Sequence, residues 1–217
     1  MPDRRATFDR VLAPEPDRTA LLVVDMQRGF LDPGEALEVP AAREIVPTLQ
    51  CLLACFRSKR LPVIFSEFVY SERIPLLVGE LHPEHKPARP GARTGFGLPS
   101  SNCLEGSPSA VTVPALAPAP DELVVRKHGY DAFAGTPLDG ALRARGITAL
   151  VVTGTLTDIC VLATVVGAFH REYRITVVED GVATLTPEIQ RATLDIIGRA
   201  YGRVVSSKDI IDQVTAW

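Results

Sequence analysis

The sequence predicts an α/β fold, a three-layer αβα sandwich built around one six-stranded, mostly parallel sheet. Six apolar runs of three to five residues recur along the 217 residues, and helical patterns lie between most of them. Runs that are apolar along their full length are typical of parallel strands, because helices bury both faces of such a sheet. No repeat or change of composition marks a boundary, so we expect a single domain over residues 1–217.

The first part of the chain contains two predicted strands joined by a helix. Residues 20–24 (ALLVV) form a buried strand that ends at Asp25, and residues 62–66 (PVIFS) form the second strand. Between them, apolar residues at helical spacing predict an amphipathic helix over residues 42–60. Residues 1–18 contain three prolines and many charges without periodicity, so we expect an N-terminal arm there.

The second part alternates strands and helices from residue 123 onward. Residues 123–126 form the third strand, which Lys127 follows, and Thr136 with Pro137 begins a helix that ends near Gly146. Residues 149–153 form the fourth strand, and the next helix begins at about Cys160 and ends at residue 172. The pattern closes with a fifth strand (174–178), a helix from residue 186, a sixth strand (203–205) and a short C-terminal helix.

Residues 67–121 interrupt this regular pattern. Nine of the eighteen prolines fall in this segment. A loop this long inside a compact domain is usually functional or disordered. We expect an ordered lid and rim of the active site, and a disordered insertion is the alternative.

Composition excludes several classes of protein. The chain has no apolar run near ~18 residues, which argues against a membrane-spanning helix, and its N-terminus lacks the apolar core of a secretory signal, so we expect a cytoplasmic location. The net charge of -3 and the lack of a basic cluster argue against nucleic-acid binding. The four cysteines show no Cys-x-x-Cys spacing, so we expect free thiols.

Cys160 is the most reactive position that the pattern predicts. A thiol at a helix N-terminus meets unpaired backbone N–H groups and the positive end of the helix dipole, which favour the nucleophilic thiolate. The alternative is that Cys160 is a small apolar residue of the core. Cys103, within residues 67–121, is a rival nucleophile, but it has no strand-to-helix setting and we expect a passive role.

Asp25 and Lys127 stand at places in the chain comparable to that of Cys160. Each directly follows a predicted strand, and the carboxyl ends of parallel strands meet at one edge of a sheet, where ligands bind. We therefore expect the three side chains to converge. An aspartate can take the thiol proton and a lysine can favour the thiolate, so the three residues suffice for nucleophilic catalysis. Taken singly, such an Asp is more often a cap and such a Lys a solvated charge.

Three blocks of sequence carry a family resemblance. LLVVDMQRGF surrounds Asp25, VVRKHGYDAFAGTPLDGALRARG surrounds Lys127, and LVVTGTLTDICVLATVVGAFHREYRITVVEDGVAT surrounds Cys160. In this order they resemble the isochorismatase-like cysteine hydrolases. The resemblance implies a Rossmann-like six-stranded sheet, homodimers or homotetramers, no cofactor, and a catalytic triad of Cys160, Asp25 and Lys127. It also implies a cis peptide bond between Thr155 and Leu156, and an oxyanion hole formed by the backbone N–H groups of Leu156 and Cys160.

The resemblance also suggests a branch of the family. Its nicotinamidases carry an Asp-x-His metal motif soon after the second strand, where this chain has Ser66, Glu67 and Phe68, so we expect no metal. His82 and His85 are the alternative zinc ligands, although no further ligand spacing accompanies them. Members that cleave isochorismate typically lack the cysteine. The chain is most similar to the metal-free amidases that act on N-carbamoyl amino acids, ureidoacrylate or biuret-like compounds.

The expected activity is hydrolysis of the C–N bond of a small linear amide or ureide through a thioester. Residues expected to contact substrate are Gln27, Phe30, Tyr130 and Phe133, with core packing as the alternative for the two phenylalanines, and Arg93, which would bind a substrate carboxylate. Nicotinamidase or isochorismatase activity and a non-catalytic binding protein are the other possibilities. A nucleotide-binding oxidoreductase would need a Gly-x-Gly-x-x-Gly turn after the first strand, where Asp25, Met26 and Gln27 stand instead.

Overall fold

The computed structural model describes residues 4–71, 74 and 103–217. It contains one six-stranded sheet whose pairs are all parallel, in the order β3-β2-β1-β4-β5-β6. The strands are β1 (Thr19–Val24), β2 (Val63–Phe68), β3 (Leu123–Lys127), β4 (Ala149–Thr155), β5 (Arg174–Ala183) and β6 (Arg203–Val205). This confirms the predicted α/β class and the parallel sheet. The strand order reverses between β1 and β4, which is the place where open α/β sheets bind ligands.

Helices cover both faces of the sheet. They are α1 (Arg4–Val11), α2 (Arg28–Leu31), α3 (Pro40–Glu44), α4 (Val46–Ser58), α5 (Leu138–Ala144), α6 (Leu162–Phe169), α7 (Pro187–Ala200) and α8 (Ser207–Thr215). Alternate residues of β1 serve the two cores: Leu21 and Val23 pack with α4 and α8, whereas Leu22 and Val24 pack with α5, α6 and α7. Full burial of every residue in β1 explains why residues 20–24 are continuously apolar.

Three predicted helices differ from the observed ones. The N-terminal arm contains helix α1. The sequence did not predict this helix, because the arm shows no apolar periodicity. The helix predicted over residues 42–60 is two helices joined at Ile45, because Pro47 has no N–H to donate to the carbonyl four residues earlier. The helix expected to begin at Cys160 begins at Leu162, after a π-helical turn at Thr157–Val161.

Strands β4 and β5 are longer than predicted. β5 continues through Glu179, Asp180 and Gly181 to Ala183 and pairs there with the end of β4, across a register shift between Val152 and Gly154. This irregular pairing brings β5 alongside the turn that carries Cys160. No helix in the described part of the chain is long and apolar enough to cross a bilayer.

Candidate active site

Asp25, Lys127 and Cys160 meet at the carboxyl end of the sheet. Asp25 directly follows β1, Lys127 ends β3, and Cys160 lies in the π-helical turn after β4. The Nζ of Lys127 is 2.7 Å from Oδ2 of Asp25, and neither side chain is exposed to solvent. The buried Cys160 thiol interacts with both the carboxylate and the ammonium. The predicted convergence of the three residues is therefore present in the fold.

The backbone around Asp25 turns sharply to deliver its carboxylate. Its φ of 49° lies in the left-handed region, which Asp tolerates better than most residues. The Asp25 N–H donates to the carbonyl of Ser66 at 3.0 Å, and its own carbonyl accepts the N–H of Gln27 at 2.8 Å. These two bonds fix the peptide units on either side of Asp25, so the direction in which its side chain leaves the strand is set by β2.

The two oxygens of the Asp25 carboxylate have different partners. Oδ1 accepts a 2.8 Å hydrogen bond from the hydroxyl of Ser66. Oδ2 forms the ion pair with Lys127 and, among the described residues, has no other hydrogen-bond partner at this distance. Oδ2 is therefore the oxygen that is available to accept a proton from the thiol.

Lys127 remains charged despite its complete burial. Burial lowers the pKa of this ammonium, but the adjacent Asp25 carboxylate and Cys160 outweigh that effect, and the pKa is raised overall. Nζ also donates to the carbonyl of Gly129 at 3.0 Å and lies 5.5 Å from the centre of the Phe68 ring. The ammonium therefore stays protonated and supplies a fixed positive charge.

Burial favours the neutral thiol form of Cys160. Burial raises its pKa to about 12; Lys127 lowers the pKa and Asp25 raises it. Desolvation of the anion outweighs the favourable charge near Cys160, so the effect that the sequence argument expected from a helix N-terminus does not decide the pKa. Formation of a thiolate at Cys160 would therefore require proton transfer to a neighbouring group.

The turn before Cys160 requires a glycine at position 154. Gly154 has a φ of 111°, and a Cβ atom there would lie 2.0 Å from the carbonyl oxygen of Val24. The absence of a side chain allows β4 to approach the end of β1 next to Asp25. The Thr155–Leu156 peptide bond is cis, as the family resemblance implies. The roles of the Leu156 and Cys160 N–H groups at an oxyanion remain predictions.

Gln27 is engaged in holding the chain together. Its Nε2 donates to the carbonyls of Phe68 (2.8 Å) and Ala110 (2.7 Å), and its Oε1 accepts the N–H of Phe68 at 2.8 Å. Both amide hydrogens are therefore used within the protein. This corrects the expectation that the Gln27 amide is available to substrate, because the buried backbone groups at the end of β2 need partners and the amide supplies them.

The aromatic residues expected near substrate are mainly packed in the cores. Phe30 is buried among the side chains of α3 and α4. Phe133 is buried with its ring centre 5.6 Å from that of Tyr173 and 4.9 Å from the Arg171 guanidinium. These contacts favour the core-packing alternative for both. Tyr130 is half-buried against the core that contains α5, α6 and α7, and its contact with substrate stays a prediction.

The positions of the family's metal motif serve other purposes here. Ser66 binds Asp25, Glu67 accepts from the N–H and hydroxyl of Thr112 at 2.8 and 2.9 Å, and Phe68 packs near Lys127. Within residues 4–71, 74 and 103–217, no group of three His, Cys, Asp or Glu side chains is arranged to hold a metal ion. Arg93, His82 and His85 lie outside the described residues, and the metal-free, cofactor-free and self-associating character of the protein stays a prediction.

Cys103 has the passive setting expected for it. It is fully buried, its N–H donates to the Ser109 hydroxyl at 2.9 Å, and burial raises the pKa of its thiol well above the ordinary value.

Sequence reasoning missed Ser66 as a member of the site. A polar residue at the carboxyl end of the otherwise apolar run PVIFS was the available signal.

Comparison with known proteins agrees with this geometry. The isochorismatase domain model matches residues 19–209. The ureidoacrylate amidohydrolase RutB of Methylobacterium radiotolerans is 32% identical over 202 residues, which cover 89% of this chain and 78% of that protein. The cysteine hydrolase of Pseudomonas syringae superposes with a TM-score of 0.82 at 28% identity, covering 94% of this chain and 95% of its own. The N-carbamoylsarcosine amidase of Thermoplasma acidophilum superposes with a TM-score of 0.71 at 30% identity, covering 88% and 96%.

Proposed function

Because the chain belongs to the isochorismatase family, we propose that it is a cysteine hydrolase that cleaves the C–N bond of a small linear amide or ureide. One observation carries the proposal. A buried Asp25–Lys127 ion pair contacts a buried thiol, which provides a base, a fixed positive charge and a nucleophile in one place without histidine.

The first step of the proposed mechanism is proton transfer from Cys160 to Oδ2 of Asp25. Before the transfer the site holds a thiol, a carboxylate and an ammonium; afterwards it holds a thiolate, a carboxylic acid and the same ammonium. The net charge is zero in both states, so the transfer creates no uncompensated charge in the interior. Lys127 interacts with both anions, which makes the thiolate accessible although the pKa of the resting thiol is about 12.

The thiolate then attacks the substrate carbonyl carbon, and a tetrahedral oxyanion forms against the N–H groups of Leu156 and Cys160. The C–N bond breaks as Asp25 returns its proton to the leaving nitrogen, which departs as ammonia or an amine and leaves an acyl group on the Cys160 sulfur. That group is a thioester when the substrate is a carboxamide and an S-thiocarbamate when it is a ureide. The carboxylate, free again, takes a proton from a water molecule whose oxygen attacks the acyl carbon. The product departs as a carboxylic acid, or from a ureide as a carbamic acid that loses carbon dioxide, and the proton returns to the thiol sulfur.

The names of two relatives support a substrate class. One is named for ureidoacrylate and another for N-carbamoylsarcosine, and both names describe a small acid that carries a terminal carbamoyl group on nitrogen. We infer the same class here: an N-carbamoyl amino acid, ureidoacrylate or a biuret-like compound. Nicotinamidase-type chemistry is less well supported because Ser66 and Phe68 stand at the metal-motif positions. Isochorismatase-type chemistry is less well supported because Cys160 is present.

Ammonia release across a substrate panel tests the proposal. The panel comprises N-carbamoyl amino acids, ureidoacrylate, biuret, simple carboxamides and nicotinamide. We expect turnover of at least one carbamoyl compound, no turnover by Cys160→Ala, and full turnover by Cys51→Ala, which removes an exposed thiol instead. Rapid acid quenching followed by mass spectrometry should detect the acyl adduct on the Cys160 peptide. Activity that survives in Cys160→Ala would refute the mechanism, and an inactive wild-type chain would favour a binding protein.

A further inference from the structure

Ser66 contacts the proposed base in two ways. Its carbonyl accepts the N–H of Asp25 at 3.0 Å, and its hydroxyl donates to Oδ1 of the same residue at 2.8 Å. Ser66 is 1% exposed, so water does not compete for either contact. We propose that Ser66 is a positioning residue that holds the Asp25 carboxylate with Oδ2 directed at Cys160.

The position of β2 in the sheet makes this contact possible. β2 lies between β1 and β3, and Ser66 pairs in register with Val24, the residue before Asp25. The carboxylate that leaves the end of β1 and the ammonium that ends β3 therefore meet above the end of β2. The short side chain of Ser66 at that end donates to Oδ1 of the carboxylate, whereas the ammonium pairs with Oδ2.

The two contacts together fix the plane of the carboxylate. Ser66 holds Oδ1, and Lys127 lies 2.7 Å from Oδ2. With Ser66 removed, the carboxylate would keep one strong partner and could rotate about its Cβ–Cγ bond, so that Oδ2 would spend less time aligned with the thiol proton. A neutral hydroxyl can perform this task without adding charge, and the ion pair stays balanced.

This inference rests on the proposed function, in which Asp25 takes the thiol proton. The matched variants are Ser66→Ala, which deletes the hydroxyl, Ser66→Thr, which keeps it, and Thr19→Val, which removes another buried hydroxyl. Thr19 stands at the opposite end of β1, where its hydroxyl donates to the Glu15 carbonyl at 2.7 Å. Melting temperatures of the three variants report any general loss of stability.

The first measurement is steady-state turnover of the best substrate from the panel. We expect Ser66→Ala to lower kcat by about tenfold to a hundredfold with KM within about threefold of wild type, since the lost contact orients a base and does not bind substrate. Ser66→Thr should recover most of the lost kcat, and Thr19→Val should match wild type. A kcat for Ser66→Ala within twofold of wild type, or equal losses in Ser66→Ala and Ser66→Thr, would overturn the inference.

The second measurement needs no substrate and so separates this inference from the proposed function. The rate of iodoacetamide alkylation of Cys160 is followed at pH 7.5 by mass spectrometry of its peptide. A misaligned base should slow alkylation in Ser66→Ala by about threefold to tenfold relative to wild type and Thr19→Val. Equal rates in all three proteins would overturn the role of Ser66 even if every compound of the panel were inert, whereas an inert panel with slowed alkylation would count only against the proposed substrates.

Discussion

The Nζ of Lys127 lies 2.7 Å from Oδ2 of Asp25, and both side chains are completely buried. Asp25 directly follows β1 and Lys127 ends β3, and these two strands are not neighbours because β2 lies between them. The ion pair therefore spans β2 at the carboxyl end of the sheet. Its energetic and chemical consequences can be separated by mutation.

Removing the lysine alone should be more damaging than removing both charges. Lys127→Met leaves an uncompensated carboxylate in the interior, which should lower the free energy of unfolding by about 3–5 kcal/mol. The double variant Asp25→Asn/Lys127→Met removes that charge and should be more stable than Lys127→Met. Urea unfolding of the wild type, both single variants and the double variant completes the cycle. Strictly additive effects would show that the ion pair is not coupled in solution.

Gly154 should not tolerate even a methyl group. A Cβ atom there would lie 2.0 Å from the Val24 carbonyl oxygen, and the φ of 111° is unfavourable for any side chain. Gly154→Ala should therefore cost about 3 kcal/mol or more of stability and displace the turn that carries Cys160, with loss of activity. Thermal unfolding and turnover measure both effects.

Gly140→Ala is the matched control for that variant. Gly140 lies within α5, and a Cβ atom there meets nothing within 4 Å. Because alanine favours helix over glycine, this change should stabilise the protein by about 0.5–1 kcal/mol and leave activity unchanged. A similar stability for the two variants would contradict the close approach of β4 to β1.

Stability should fall at alkaline pH because of Cys160. Burial raises the pKa of its thiol to about 12, whereas an unfolded cysteine titrates near about 8.5. Above about pH 8.5 the unfolded chain releases a proton that the folded chain retains. The contribution is therefore complete below about pH 8.5 and is lost towards pH 12, by about 1.4 kcal/mol per pH unit.

Urea unfolding at pH 8, 8.5 and 9 tests this dependence, because that range stays well below the pKa values of unfolded tyrosine and lysine, about 10 and about 10.4. The free energy of unfolding of Cys160→Ala should fall less steeply with pH than that of the wild type. It should keep part of the slope, because burial also raises the pKa of the Cys103 thiol. Identical slopes for the two proteins would mean that Cys160 is not buried as a neutral thiol.

Gln27 should be needed to hold the segment around Ala110 against the sheet. In Gln27→Glu a carboxylate oxygen would replace the Nε2 that now donates to the Phe68 and Ala110 carbonyls. The carboxylate oxygen would then face two backbone carbonyl oxygens in a buried site, and we expect the free energy of unfolding to fall by about 3 kcal/mol. Hydrogen exchange should increase at Val113, whose N–H donates to Met26.

Gln50→Glu is the control for Gln27→Glu. The exposed amide of Gln50 also donates to a backbone carbonyl, that of Ala115 at 3.0 Å, but water can replace it. The control should change stability by less than about 0.5 kcal/mol. Equal changes in stability for the two substitutions would show that the buried amide of Gln27 contributes no more to stability than the exposed amide of Gln50.

Local sequence determined the strands, their order along the chain and the three residues that meet at the sheet edge. Continuous apolar runs report burial on both faces of a sheet, and parallel strands bring their carboxyl ends to one edge, so Asp25 and Lys127 could be identified from their places after β1 and within the end of β3. The turn that begins at Gly154 could be predicted from the strand-to-helix pattern, whereas the cis bond at Thr155–Leu156 was predictable only through the resemblance to a family.

Tertiary structure alone decided how these residues behave. The hydroxyl of Ser66 and the amide of Gln27 bind groups 41 residues or more away in sequence, which no local period encodes. The pKa of the Cys160 thiol depends on tertiary structure for the same reason: a helix N-terminus favours the thiolate, but the cost of desolvating an anion depends on everything packed around it. Periodicity reports which side of an element is buried, whereas hydrogen-bond partners and pKa values depend on which distant groups share that burial.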